Sequence, residues 1–445
     1  MSAIEHVAIV GSGFSGTLQA IALLRGGVRR VSLIERREEF GRGIAYSTSN
    51  PAHLLNVRTS NMSAFVEEPD HFRRWLAQRA PASPDGFASR RDFGDYLSQL
   101  LEETIAAAPG RLDLWHDGAV EIDRRATGVR LLLDGGRRID ADAAILAIGN
   151  LPPHDPPGLD PARLPPDLYV ADPLGSAIGE GLAPDHTVLL IGTGLTMIDV
   201  VLTLEEEGFG GRIVALSRHG LVRRAHDAAA LPACGTDRPR AIGAALLGEL
   251  RRQAERSGWR TAVDGIRPFT QDLWHEASPT EQARFIRHLR AWWDVHRHRL
   301  APEVAARLAA WRGSGRLEVV AGRIEHCTRQ DQAVEVAWRP RGTTGRRQLQ
   351  VRRIVNCTGP QGDLLRTREP LLHLLLASGR VRPDRHRLGI DVNRYGETIG
   401  VDGRPNPRLL AVGPMTRGAF WESVAVPDIR VQTAALARHL VGSGA

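Results

Sequence analysis

The sequence predicts an α/β fold of two Rossmann-like units in tandem, each carrying a β-meander and a helical insertion. Three observations lead there. An apolar strand at 7–10 runs into Gly11-Ser-Gly13-Phe-Ser-Gly16, and another at 188–191 runs into Gly192-Thr-Gly194-Leu-Thr-Met197. Each opening has a matching close, Ala144-Ile-Leu-Ala-Ile-Gly149-Asn150 and Ile354-Val-Asn-Cys-Thr-Gly359-Pro360. Between them, Gly110-Arg-Leu-Asp-Leu-Trp115 in the first copy corresponds to Gly315-Arg-Leu-Glu-Val-Val320 in the second.

In chain order, 4–35 reads as a βαβ unit: a strand over 4–10, helical apolar spacing over 15–24, and a second strand over 31–34 ending in Glu35. Residues 40–110 interrupt this copy with the loop Gly41-Arg-Gly43-Ile-Ala-Tyr46 and helices near 70–80 and 92–108. A meander and closing strand follow over 111–149, with Asp134-Gly-Gly136 as a hairpin turn. The proline- and glycine-rich stretch 151–184 reads as a linker. Residues 187–218 repeat βαβ, and 219–312 interrupt again, mostly as helices, clearest at 281–295 and 302–311. A second meander leads to Gly359; a strand at 409–413, a loop and a helix around 427–440 close the chain.

Composition narrows the function. The 42% apolar and 24% charged content is that of a globular chain, and a formal charge of +7 is carried by arginine alone, with no lysine. Lacking lysine, the chain has neither a P-loop nor a Schiff-base nucleophile. The arginines read as surface coating or as attraction for anionic cofactors and substrate. No basic run is interleaved with aromatics, which argues against nucleic-acid binding. Cys234, Cys327 and Cys357 are far apart and form no C-x-x-C, which suggests a reducing compartment. No signal peptide and no apolar run long enough for a membrane span are evident, so the expected location is cytoplasmic.

Gly11, Gly13 and Gly16 fit G-x-G-x-x-G between strand and helix, with Phe14 and Ser15 inside the motif. The first glycine permits the turn, the second admits a pyrophosphate, and the third brings helix and strand together. Glu35, with Arg36 after it, stands where a carboxylate accepts from ribose hydroxyls. The second copy has Gly192, Gly194, Leu195 and Thr196, but Met197 replaces the third glycine, so helix and strand should sit farther apart. Its second strand ends in Ser217-Arg218, a cation suited to the 2′-phosphate of NADPH; otherwise Arg218 is one arginine among many. Two dinucleotide folds in one chain imply a tightly held flavin paired with a visiting nicotinamide. The first site would then hold FAD; the closing glycines Gly149 and Gly359 return the chain close to the cofactors, followed by Asn150 and Pro360, and Gly413 is a further cofactor glycine. The expected organisation is a FAD-binding domain over 1–155 (insertion 40–110), an NAD(P)H-binding domain over 185–350 (helical insertion 219–312), and a return to the first domain over 351–445.

The segments Gly41-Arg-Gly43-Ile-Ala-Tyr46-Ser47, His53-Leu-Leu-Asn56-Val-Arg58, Asn61-Met62-Ser63-Ala64-Phe65 and Asp70-His71-Phe72 resemble those of a bacterial FAD/NAD(P)-binding family. So do Gly192-Thr-Gly194-Leu-Thr-Met197-Ile-Asp199 and Arg417-Gly-Ala-Phe-Trp421-Glu-Ser-Val-Ala-Val-Pro427-Asp-Ile-Arg430. That family includes a FAD-dependent urate hydroxylase and a nitrosuccinate-forming aspartate N-monooxygenase. The resemblance implies a two-dinucleotide-binding flavoprotein with a flavin monooxygenase cycle. NADPH reduces FAD, O₂ adds at the flavin C4a, and the terminal oxygen of the hydroperoxide passes to substrate. Two departures qualify it: F-x-G-x-x-x-H is missing, and the Gly-Asp pair of many such flavoproteins is here Gly413-Pro414. The resemblance places the loop 53–65 beside the flavin, making Asn56 and Met62 cofactor residues, with Gly43 of the preceding loop another, and Asn56 and Arg58 candidate donors; the alternative is that they brace the loop. Arg417, Trp421 and Glu422 precede the last helix, where they act on the flavin or serve packing and capping.

The cluster Trp292-Trp293-Asp294-Val-His296-Arg-His298-Arg299 reads as a helix with a buried aromatic face rather than a metal site. The leading expectation is an NAD(P)H-consuming FAD monooxygenase acting with O₂ on a small polar or anionic molecule. Urate is its most specific named substrate. An N-hydroxylase of aspartate or another amine, a non-oxygenating NAD(P)H:flavin oxidoreductase and a nucleotide-sensing protein are the alternatives.

Overall fold

The computed structural model describes residues 4–79, 86–174, 177–227 and 237–442; Cys234 lies outside them. The chain divides into two compact units, Met1–Ser49 with Val57–Leu151 and Gly362–Ala445, and Asn50–Asn56 with Pro152–Gln361.

The first unit is built on a six-stranded sheet in the order Glu397–Ile399, Pro405–Ala411, Ala143–Leu146, His6–Val10, Arg30–Glu35, Leu112–His116. All neighbours are parallel except the first pair. Strand periodicity explains its two cores. Val7, Ile9, Val31, Leu33 and Ile145 face the helices Phe14–Arg25 and Val426–Gly442, joining Leu23, Leu436 and Leu440. Ala8, Val10, Ile34, Ala144 and Leu146 face the other way, against Ile122, Leu131 and Ile139 of a three-stranded antiparallel sheet. Covered on both faces, the central strands are apolar at nearly every position and not in alternation.

The second unit repeats the plan in a seven-stranded sheet, ordered Arg347–Val351, Ala333–Pro340, Leu317–Gln330, Arg212–Ser217, Thr187–Ile191, Arg353–Asn356, Tyr169–Val170. The copies differ at the start of the meander. In the first, Leu112–His116 ends and the meander restarts at Ala119, because Asp117 and Gly118 make a turn in which Asp117 Oδ1 accepts from the Gly118 amide at 2.8 Å. In the second, the corresponding segment continues as one strand, Leu317–Gln330, with an irregularity between Ile324 and His326.

The stretch expected to be linker contributes the edge strand Tyr169–Val170, pairing with Ile354 and Val355. Its proline-rich composition conceals this, because the ordering comes from Arg353. That side chain is 4% exposed, donating to Asp167 O at 2.9 Å, to Glu180 O at 2.8 Å and to Ile178 O. Arg353→Met is expected to cost about 2–4 kcal/mol by leaving these carbonyls unpaired. Denaturant unfolding checks it, and an unchanged midpoint would refute the clamp.

Sequence periodicity also misses the break within the helix expected at 281–295. Pro279–Arg284 starts on a Ser278/Glu281 capping box, Phe285–Leu289 is a π-helical turn, and Arg290–Arg297 resumes. The extra residue in that turn rotates the face that follows. Trp292 is consequently 46% exposed, while Trp293 is half-buried with its ring 6.4 Å from that of Phe285, so only part of the expected aromatic face packs inward. Helix Pro370–Ala377, not foreseen, packs Leu371, Leu372 and Leu375 on the meander side of the first unit. Among the described residues no helix is long and apolar enough to cross a membrane.

Candidate functional site

In the first unit the turn between His6–Val10 and Phe14–Arg25 is assembled from close backbone approaches. Gly11 has φ +101°, in the left-handed region, and a Cβ there would lie 2.4 Å from Ala147 O. A Cβ on Gly16 would lie 1.8 Å from Gly11 O, so the helix rests directly on the turn. Gly13 caps that helix without any side-chain hydrogen bond, leaving first-turn amides available to an anion. Gly43 leans on the same turn, since its Cβ would stand 2.7 Å from Gly13 Cα. A Cβ on Gly413 would fall 2.4 Å from Ser15 Oγ.

Glu35 closes this cradle. Its Oε2 accepts from Ser12 N at 2.9 Å and Ser12 Oγ at 3.3 Å, and its Oε1 accepts from Arg37 N at 3.1 Å. A carboxylate so held still offers lone pairs to a sugar hydroxyl. Arg36 is exposed and pairs with Glu369 at 2.8 Å. Phe14 turns its ring toward Phe93 (5.9 Å) and Tyr46 (6.4 Å), so only its backbone faces the turn. Burial pushes the Tyr46 phenol up to about 12, against a lowering by Arg90.

Met62 is 1% exposed, and its amide donates to Thr59 O. Trp421 and Glu422 are buried, and the Arg417 guanidinium stacks 4.3 Å from the centre of the Trp421 ring. Gly149 follows the strand that covers Gly11, and Asn150 is exposed. Arg58 lies over the Phe87 ring at 4.9 Å within the first unit, whereas Asn56 belongs to the second, its carbonyl accepting from His226 Nε2 at 3.1 Å.

The second unit rebuilds the turn with a looser fit. Gly192 has φ +115°, and its Cβ would lie 2.2 Å from Cys357 O. Ala147 and Cys357 stand two residues before Gly149 and Gly359 respectively, so both copies use the same register. Met197 is fully buried where Gly16 stood. The first helical bond lengthens accordingly, from 2.9 Å (Thr17 N to Gly13 O) to 3.4 Å (Ile198 N to Gly194 O). Leu195 and Thr196 are half-buried in the first helical turn.

Ser217 is committed to the turn itself. Its Oγ hydrogen-bonds Thr193 Oγ1 at 2.9 Å and accepts from Gly220 N at 3.0 Å. Arg218 beside it is exposed. His219 Nδ1 meets Arg341 at 2.5 Å. Burial, then Arg341, Arg218 and Arg323, hold its imidazole below the usual histidine range. This strand end is therefore a concentration of positive charge. Sequence reasoning finds only Arg218 there; Arg341 and Arg323 arrive from the distant hairpin. Burial pushes the Cys327 thiol up to about 11 and Cys357 higher, so neither offers a thiolate at neutral pH.

Residues 8–151 match the FAD-NAD(P)-binding family. The chain is 32% identical over 162 residues to an L-aspartate N-monooxygenase (nitrosuccinate-forming) of Streptomyces cremeus, covering 33% of this chain and 23% of the relative. It is 27% identical over 221 residues to the enzyme of the same name from Streptomyces davaonensis, covering 38% and 33%. The alignments thus span a third or less of these curated relatives. Among solved structures, an ornithine N-hydroxylase of Kutzneria sp. 744, in its FADred–NADP+–L-orn form, superposes with a TM-score of 0.69 at 15% identity, covering 100% of both chains. At that identity the likeness shows the fold, and it is the expected two-dinucleotide architecture. Nothing in these comparisons supports urate, the most specific substrate expected from sequence; both curated relatives are named as L-aspartate N-monooxygenases.

Proposed function

We propose that the protein is a FAD-dependent, NAD(P)H-consuming monooxygenase that hydroxylates the nitrogen of a small polar amine, with aspartate the first candidate. The observation carrying this reading is the pair of matched but unequal glycine turns in one chain, the first closed by Glu35 and the second by Arg218. The partial likeness to two L-aspartate N-monooxygenases supports nitrogen over carbon as the acceptor.

The first turn fits a flavin dinucleotide. Gly13 leaves open space where a side chain would meet a pyrophosphate, Gly11, Gly16 and Gly43 let the backbone close up around that turn, and the uncapped helix start stabilises negative charge. Phe14 and Ser15 would contribute amides, Glu35 would accept from ribose, and Gly149, Asn150, Met62 and Gly413 would line the remainder. When bound, the flavin supplies reductive activation of O₂. One oxygen atom then enters the N–O bond and the other leaves as water, with two electrons from NAD(P)H and protons from solvent. Asn56, Arg58, Arg417 and Trp421 are the candidate groups for orienting substrate and stabilising charge; Arg417 is held flat by Trp421. Gly192, Gly194, Leu195, Thr196, Ser217, Arg218 and Gly359 form the NAD(P)H set of the second unit.

The test follows NADPH oxidation and O₂ uptake together in FAD-loaded protein with aspartate, ornithine, lysine or urate against a no-substrate control. Aspartate or another amine should stimulate both and yield a hydroxylamine or more oxidised product. Stimulation by urate alone would overturn the N-hydroxylase reading, and a protein that retains no FAD would sink the whole of it. Separately, Arg218→Ala should raise KM for NADPH about 10-fold, the worth of one charge-assisted contact, and leave KM for NADH unchanged. An unaltered NADPH:NADH ratio would refute that assignment.

A further inference from the structure

Arg223 is a half-buried arginine whose guanidinium the fold itself does not explain. Its Nε and Nη1 atoms are sealed from solvent and have no hydrogen-bond partner, while part of the residue remains accessible. The carboxylate influencing it is Asp294, which also stands 3.7 Å from Arg290 and 3.9 Å from His298. Burial pushes the guanidinium below its usual range; Asp294 opposes this and Arg290 adds to it. A cation desolvated with so little hydrogen bonding in return costs stability unless something else meets it.

Its position says what that is. Arg223 Nη2 lies 3.9 Å from the point where a Cβ on Gly194 would stand. Gly194 caps the twelve-residue helix Leu195–Glu206 with no side-chain hydrogen bond. The guanidinium therefore sits where free helix amides and a side-chain-less turn converge in the second unit. The surrounding backbone is pinned. Thr193 Oγ1 donates to Leu221 O at 2.6 Å, Arg224 N donates to Val295 O at 3.0 Å, and Leu300 N donates to Arg224 O at 2.9 Å.

We infer that Arg223 holds the diphosphate of the nicotinamide dinucleotide against the second glycine turn, its planar fork spanning phosphate oxygens that the helix amides bind from the other side. This rests on the second unit being the NAD(P)H site. It divides the work between two arginines. Arg223 serves NADH and NADPH alike through the diphosphate they share, whereas the exposed Arg218 serves only the 2′-phosphate.

The experiment titrates FAD-loaded protein with NADP+, NAD+ and ADP-ribose by calorimetry, with no turnover required. Arg223→Met should weaken all three by about 10- to 100-fold, the worth of one or two charged hydrogen bonds, and Arg223→Lys by less. Arg218→Ala should weaken NADP+ alone. The thermal midpoint of the nicotinamide-free protein should stay level or rise in Arg223→Met, because a desolvated charge has been removed. A bracing role would lower it, and a clear fall in Tm for both Arg223 variants would overturn the inference. If wild-type protein binds all three ligands and Arg223→Met binds them equally, this inference fails and the function stands. If wild-type protein binds none of them, the second unit is no dinucleotide site and both fall.

Discussion

Gly16→Ala should yield protein that purifies without flavin. The added Cβ would stand 1.8 Å from Gly11 O, 2.9 Å from Gly11 C and 3.2 Å from Ala147 Cβ. The two nearest of these are backbone atoms, so relief requires the helix Phe14–Arg25 to lift off the turn. That displacement carries the first-turn amides away from where a pyrophosphate would lie. Overpacking of this kind costs about 1–3 kcal/mol in stability, and the loss of aligned amides should cost at least about 10-fold in FAD affinity. Gly13→Ala separates the two effects. Its Cβ meets nothing closer than Gly43 Cα at 3.5 Å, an ordinary contact, so the fold should hold while the methyl group intrudes on the ligand. Flavin absorbance per protein and the thermal midpoint are the readouts. A Gly16→Ala protein with a full flavin complement would show that the turn is not the flavin site.

Gly192→Ala should give the complementary phenotype, a yellow protein that NADPH no longer reduces. Here the backbone is at φ +115°, and the Cβ would stand 2.2 Å from Cys357 O and 2.6 Å from Cys357 C. An L side chain at that φ is strained by about 1–3 kcal/mol even before the contact is counted. The turn must therefore separate from the end of the strand Arg353–Asn356, and its cradle opens. Because the change lies wholly within the second unit, flavin content should remain at the wild-type level. Anaerobic stopped-flow reduction by NADPH should slow by at least about 100-fold, whereas dithionite should reduce the flavin normally. Loss of flavin from this variant, or normal reduction by NADPH, would break the assignment of one cofactor to each unit.

Much of the scaffold was legible because it depends on local chemistry. A run such as Val7–Val10 ending in Gly11 can be little else than a buried strand entering a tight turn. Glu35 was legible for the same reason: its distance from the glycines follows from one helix and two strands. Tyr169–Val170 was not, since two residues carry no periodicity and the order comes from Arg353, far along the chain. The π-helical turn at Phe285–Leu289 was hidden too, because helical spacing over 281–295 looks unbroken until one extra residue rotates the face.

The candidate site divides along the same line. By itself the sequence determined the doubled architecture, the places of Gly11, Gly16, Gly192 and Glu35, and the charge difference between Glu35 and Arg218. These follow from steric rules and strand periods that act over a few residues. Tertiary structure alone decided which of the many arginines matter. Arg341 and Arg323 from the hairpin join Arg218 around His219, Arg353 is spent on backbone carbonyls, and Arg223 is left beside Gly194 with its Nε and Nη1 unsatisfied. An arginine's role is set by what desolvates it and what lies within hydrogen-bond reach, and both are supplied by segments distant in sequence.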